Sequence, residues 1–212
     1  MTESSPAERI VAPSGFRATR TIPPAARGGV VLVVDDDASV APILQPLVSL
    51  GFVVVVPDLA WRHGPAGLSD PEVIQDLVAA RNLLPAGARF VVGTASGGLY
   101  ARVAACAVLG LAGAVSFGGR ISYAGVNARH PIQPMDLLPG LSCPLQCHFE
   151  ADDPAAPAAH VDELERRLAG TSQPWQVFRY GPRSDAHAAE AETRTAWGRA
   201  SSFLLHLAAE RA

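Results

Sequence analysis

The sequence predicts an α/β fold, a mostly parallel central sheet with helices on both faces. Three observations predict it. Apolar runs without polar alternation recur, GVVLVV at 29–34, FVVVV at 52–56 and FVV at 90–92; strands buried on both faces read this way. Helix-length segments separate these runs, as in strand–helix–strand units. Glycine, aspartate and histidine fall just after several of the runs, where parallel sheets carry their reactive groups.

The elements follow in order. Residues 1–27 read as an N-terminal arm or hairpin, with Ile10-Val11 and Phe16 to Thr21 as short strands about a Pro-Ser-Gly turn. Residues 28–212 read as one domain. Its first strand, Gly29 to Val34, ends at Asp35-Asp36-Asp37. Ser39 is expected to cap a helix that Gly51 stops. The strand Phe52 to Val56 leads into a loop carrying Trp61, Arg62 and His63. Asp70 is expected to cap a helix to about Leu84, with Pro71 at its first position. The strand Phe90 to Val92, a turn at Gly93 to Gly98 and a helix Leu99 to Leu109 come next. A strand Ala114 to Phe117, a long loop to Gly140 and a strand Leu145 to Phe149 lead to the acidic segment Glu150 to Asp153. A helix Val161 to Leu168, a strand Trp175 to Tyr180 and a helix from about Ala189 to Leu207 finish the chain, with His187 in the loop before that helix.

Composition excludes several functions. The 212 residues carry a net charge of −3, and all 17 basic residues are arginine. Without lysine there is no Schiff-base lysine, no pyridoxal-phosphate enzyme and no phosphate-loop lysine. A slightly acidic chain without an arginine cluster is not expected to bind nucleic acid. It has no apolar run of about 18 residues and no signal-peptide core, so a cytoplasmic protein without a membrane partner is expected. Cys106 reads as core, and Cys143, Cys147 and His148 lack the spacing of a common zinc site. No metal is expected, and without a dinucleotide fingerprint no cofactor either.

Three strand-end loops hold the chemistry. The first is Gly93-Thr94-Ala95-Ser96-Gly97-Gly98, where glycines two before and two after a central residue permit a sharp, strained turn. The second is Glu150-Ala151-Asp152-Asp153-Pro154, and the third holds His187. Elbow, acid, histidine is the chain order of an α/β-hydrolase triad. The segments GGVVLVV to LVSLGFVVVVPDLAWRHG (28–64), VVGTASGG (91–98), AGAVSFGGRIS (112–122), PMDLLPGLSCPL (134–145), Asp153 to Pro157, FRYG (178–181) and the A-W-x-R of the last helix stand in one order. With them the chain resembles the dienelactone hydrolase family of α/β-hydrolases over nearly its whole length.

That resemblance implies an α/β-hydrolase-like fold, with Asp153 as triad acid and His187 as triad histidine. It also implies a nucleophile, cysteine or serine, at the slot that Ala95 fills here. Alanine can neither attack a carbonyl nor accept an acyl group. Asp35 or Asp36 stands where the family has a glutamate governing its nucleophile's proton, and becomes a second candidate acid or base. The Ser96 N–H is a candidate oxyanion donor. Arg62 suits an anionic substrate group, and Trp61, Phe117 and Tyr123 suit an apolar pocket.

The first expectation is a small-molecule enzyme, a monomer or weak homodimer, using a His–Asp pair and an oxyanion pocket without covalent catalysis. It would cyclise, isomerise or eliminate on a carbonyl, lactone or polyketide-like substrate, a chemistry suited to secondary metabolism. A second is an ester or lactone hydrolase, with Ser96 as nucleophile or with a cysteine or serine at position 95 replaced by alanine. A third is a catalytically dead binding protein using the old cleft.

Overall fold

The computed structural model describes residues 7–13, 15–35, 39–59, 69–182 and 186–211, with backbone alone at 186–188. Eight strands form one sheet: β1 Ala7–Val11, β2 Arg17–Thr21, β3 Gly28–Val33, β4 Phe52–Pro57, β5 Arg89–Thr94, β6 Gly113–Phe117, β7 Leu145–Glu150 and β8 Trp175–Tyr180. Among the described residues five α-helices accompany them, α1 Ala41–Ser49, α2 Asp70–Asn82, α3 Ser96–Ala107, α4 Ala158–Leu168 and α5 Ala186–Ala209, with a short 3-10 helix at Pro134–Gly140. The strand order is β1-β2-β4-β3-β5-β6-β7-β8. Pairings from β4 through β8 are parallel, while β1–β2 and β2–β4 are antiparallel. The N-terminal hairpin therefore extends the sheet at one edge.

The apolar runs work by alternation between two cores. Val31 and Val33 of β3 join Val53, Val55 and Val91 on one face, with α2, α3 and α4 against them. Val30 and Leu32 join Phe52, Val54, Phe90 and Val92 on the other, with α1 and α5. A strand with apolar residues at every position satisfies both faces at once.

Several element ends differ from expectation for local reasons. Val40, not Ser39, is the N-cap of α1 and makes no side-chain cap bond, and Pro42 near the helix start removes one orphan donor. Ser69 precedes α2, so Asp70 is its first helical residue, and its carboxylate serves tertiary partners instead of a cap. α3 begins at Ser96, leaving a single residue between strand and helix. α5 begins at Ala186, so His187 lies in the first helical turn and not in the preceding loop. Among the described residues no helix is long and apolar enough to cross a membrane.

The chain steps from β3 outward to β4 and then returns to β5 on the other side of β3. Strand order reverses there, and ligands in open parallel sheets bind outside the carboxyl ends at such a point. Asp35 follows β3 and Ala95 follows β5, bringing both to that crevice.

Candidate active site at the elbow

Ala95 makes the whole reversal from β5 to α3. Its φ is +51° and its ψ −122°, and it is the one non-glycine residue with positive φ among those described. Its neighbours explain how this is possible. A Cβ at Gly93 would sit 1.9 Å from the Gly97 carbonyl oxygen, and one at Gly97 would sit 2.0 Å from that of Val33. The two glycines let strand, helix and β3 meet at backbone contact, and the apex between them is position 95. Ser96 lies one residue on, inside the helix.

An L-residue in this conformation carries strain of about 1–3 kcal/mol, held by its surroundings. Here the Ala95 N–H donates to the Phe117 carbonyl at 3.0 Å. Ala95→Gly relieves the strain but frees the unfolded chain by about 0.4–1 kcal/mol. The expected net gain is about 1 kcal/mol, a rise of about 2–4 °C in calorimetric Tm. An unchanged or lower Tm would show that position 95 is not strained.

Asp35 takes the place beside the apex. Its Oδ2 accepts the Ser96 N–H at 3.3 Å and the Ser96 hydroxyl at 3.1 Å. This departs from the expectation that the Ser96 N–H faces a substrate oxyanion. An Asp35 carboxyl oxygen occupies that donor instead. The Ser96 hydroxyl is likewise engaged with Asp35. Asp36 lies outside the described residues, as do Trp61 and Arg62.

Asp153 follows β7, and its Oδ1 accepts the Ala155 N–H at 2.8 Å, closing a tight loop turn. Its Oδ2 lies next to Gly118, where a Cβ would come within 3.2 Å of it. The His187 side chain lies outside the described residues, so its pairing with Asp153 is not among the contacts seen.

Two cavities flank the elbow, and both are lined by Ala95, Gly119 and Asp153. The first, about 390 Å³, is walled by Phe117, His148, Tyr180 and Trp197, with Glu150 and Glu192 at its polar edge. Phe117, a candidate pocket residue, is among the residues that line this cavity. The second, about 530 Å³, is lined by Asp35, Ser96, Tyr123 and His130 among others.

Sequence reasoning missed three groups here. His148 stacks on Phe117 across the β6–β7 register, with centroids 4.6 Å apart. Gln146 donates its amide to Gln176, so its oxygen is left to accept from His148 Nε2 at 2.9 Å, and His148 Nδ1 accepts the Tyr180 hydroxyl at 2.8 Å. Burial, and secondarily Arg199, pushes the His148 pKa down to about 3, so this ring is neutral at ordinary pH. Polar residues alternating in the buried strand LQCHFE were the available signal.

Arg102 of α3 is the second. It donates to Ser116 Oγ (2.5 Å) and to the carbonyls of Gly118 (2.8 Å), Gly119 (3.0 Å) and Arg120 (2.6 Å), fixing the loop that lines both cavities. The third is Asp70, whose Oδ1 accepts from Tyr123 OH (2.7 Å), His130 Nδ1 (3.0 Å) and Tyr100 OH (3.2 Å). Tyr123, expected to line a pocket, lines the second cavity while its hydroxyl is spent on Asp70.

The cysteines offer no replacement nucleophile. All three are free thiols, and burial pushes Cys106 and Cys143 up to about 12 and Cys147 to about 11. None is a thiolate near neutral pH.

Comparison with known proteins agrees with this architecture. The model of the dienelactone hydrolase family matches residues 78–207, more than half of the chain, including the elbow, Asp153 and His187. No curated protein matches the sequence. Among solved structures, a protein assigned as a dienelactone hydrolase from Klebsiella pneumoniae superposes with a TM-score of 0.80 at 17% identity, covering 94% of this chain and 98% of that one. The sugar hydrolase YeeB from Lactococcus lactis gives 0.77 at 11% identity, covering 95% and 98%. The esterase Pf2001 from Pyrococcus furiosus gives 0.68 at 14% identity, covering 91% and 90%. At these identities the structural likeness speaks for the fold.

Proposed function

This chain belongs to the dienelactone hydrolase family, and from that premise we propose a small-molecule enzyme of this family that works without a covalent step. It binds a carbonyl, ester or lactone substrate over Ala95 and carries out cofactor-independent acid–base chemistry, of the cyclisation, isomerisation or elimination kind. The observation that carries the reading is the methyl group at the strained apex, the position that the elbow geometry exposes for attack. The neighbouring hydroxyl, Ser96 Oγ, is bound to Asp35.

In this reading His187, oriented by Asp153, removes a proton beside the substrate carbonyl. Asp35 in its acid form hands a proton to the carbonyl oxygen, and Ser96 holds that carboxyl in place. Asp36 is the alternative for the same role. His187 returns its proton at another carbon of the conjugated enol while the enol O–H gives its proton back to Asp35, which completes an isomerisation with atoms and charge in balance. Asp35 thereby replaces the usual pair of oxyanion donors, which suits an enol better than a tetrahedral oxyanion. Phe117 contacts the apolar part of the substrate, and Trp61 and Arg62 are assigned to binding it on residue type alone.

One probe separates the readings. The aryl-fused lactone 2-coumaranone is incubated with the protein in D₂O and followed by proton NMR. The expected result is protein-dependent deuterium exchange of the methylene beside its carbonyl, without protein-dependent release of 2-hydroxyphenylacetate. His187→Ala is expected to slow the exchange about 100-fold while leaving the fold intact. Protein-dependent ring opening would instead make the protein an ester or lactone hydrolase. Binding with neither reaction would make it a binding protein.

A further inference from the structure

The second cavity is lined by titratable residues outside the elbow–acid–histidine set. Its wall carries His130, which the loop from Ile121 to Gln133 presents. That loop is tied to itself: Asn127 Oδ1 accepts the N–H groups of Arg129 (2.9 Å) and His130 (3.1 Å), and Gln133 bonds both the N–H and the carbonyl of Tyr123. The Asp70 N–H donates to the Arg129 carbonyl at 2.9 Å, docking the loop onto the start of α2. The His130 ring stacks on Tyr123 with centroids 4.3 Å apart. Backbone and ring are thus both fixed.

Asp70 supplies the orientation. Its side chain is 12% exposed and gathers three donors on one oxygen. Burial, joined by the Asp70 charge and its hydrogen bond, pushes both tyrosine pKa values well above the usual phenol value, so both phenols keep their protons and donate. A carboxylate accepts only, so His130 Nδ1 carries the proton toward it. Nε2 is then the ring nitrogen turned away from Asp70. His130 lines the cavity together with Ala95, Ser96 and Asp35. A loop merely docked onto α2 would not need an imidazole backed by a buried carboxylate and two phenols.

We propose that His130 and Asp70 form a second acid–base pair, with His130 Nε2 exchanging a proton with a substrate that lies across Ala95 in the second cavity. Asp70 is a positioning residue, and the phenols hold its charge. The proposal rests on the non-covalent reading above. It adds His130, on the second-cavity side of the apex, as a proton-transfer group beyond the one the proposed function assigns to His187. The substrate class it implies is a carbonyl compound exchanging protons at two separate atoms, as an isomerisation or an elimination requires.

Two measurements test it, the first without any substrate. Diethyl pyrocarbonate carbethoxylates neutral imidazole nitrogen, and peptide mass spectrometry reads the rate at each histidine. His130 is expected to react at least fivefold faster than the exposed His206, and Asp70→Asn is expected to slow it about tenfold. Equal rates, or indifference to Asp70→Asn, would overturn the pair. The second is 2-coumaranone exchange by His130→Ala. A fall of about 100-fold in kcat with KM unchanged, restored at least tenfold by added imidazole, supports the proposal. Unchanged kcat, or a loss that imidazole does not restore, overturns the catalytic role. If wild-type protein exchanges nothing while the reactivity results hold, the pair exists and the proposed reaction fails.

Discussion

Arg102→Met is expected to lower the Tm by about 8–16 °C. The guanidinium is fully enclosed, and burial pushes its pKa down from the usual value while Cys147 and Asp153 pull it back up. Its four hydrogen bonds reach Ser116 and three consecutive carbonyls, 118 to 120. Methionine keeps the length and apolar stem but leaves the Gly119 and Arg120 carbonyls without their guanidinium donor, while Gly118 keeps the Ser116 hydroxyl at 3.3 Å. Each orphaned buried group costs about 1–3 kcal/mol, partly recovered by entering water, so the sum is about 4 kcal/mol. At about 2–4 °C per kcal/mol for a chain of this size, the stated range follows. The loop lines both cavities, so a probe bound over Ala95 should also lose affinity. A Tm within 2 °C of wild type, measured by calorimetry, would show that the loop holds itself.

Gly97→Ala is expected to cost about 4 kcal/mol or more, enough to remove much of the folded protein from a soluble preparation. The added Cβ would stand 2.0 Å from the Val33 carbonyl oxygen and 2.6 Å from its carbon. Both are backbone atoms of a central strand, so no side chain can swing away, and α3 must leave the sheet. Overpacking of flexible sites costs about 1–3 kcal/mol, and a rigid backbone clash belongs above that range. Gly198 in α5 is the control: nothing lies within 4 Å of its added Cβ. There alanine should stabilise by up to about 1 kcal/mol through helix propensity. Urea midpoints on both variants check the contrast, and similar midpoints would refute the contact.

These two residues also mark the limit of sequence reasoning. Gly97 was legible because glycines at 93 and 97 frame one position in a local pattern, and local geometry dictates such a turn. Arg102 was not. An arginine in a run of small apolar helix residues says nothing of the three carbonyls it meets, which come from a loop beyond the next strand. Asp70 was read as a cap because Asp-Pro at a helix start has a common local meaning. Its actual partners lie 30, 53 and 60 residues away in sequence.

By itself the chain determined the strand and helix alternation, the parallel sheet, the elbow and the alanine at its apex. Each rests on periodicity or spacing within about ten residues, where backbone sterics and hydrophobic burial act locally. The tertiary structure alone decided that Asp35 binds the Ser96 N–H and hydroxyl, that two cavities meet at Ala95, and that Asp70 and His130 pair beside the second. Those outcomes depend on which strand ends lie side by side. Buried polar groups find partners wherever the folded backbone brings donor and acceptor together, and no local pattern encodes that meeting.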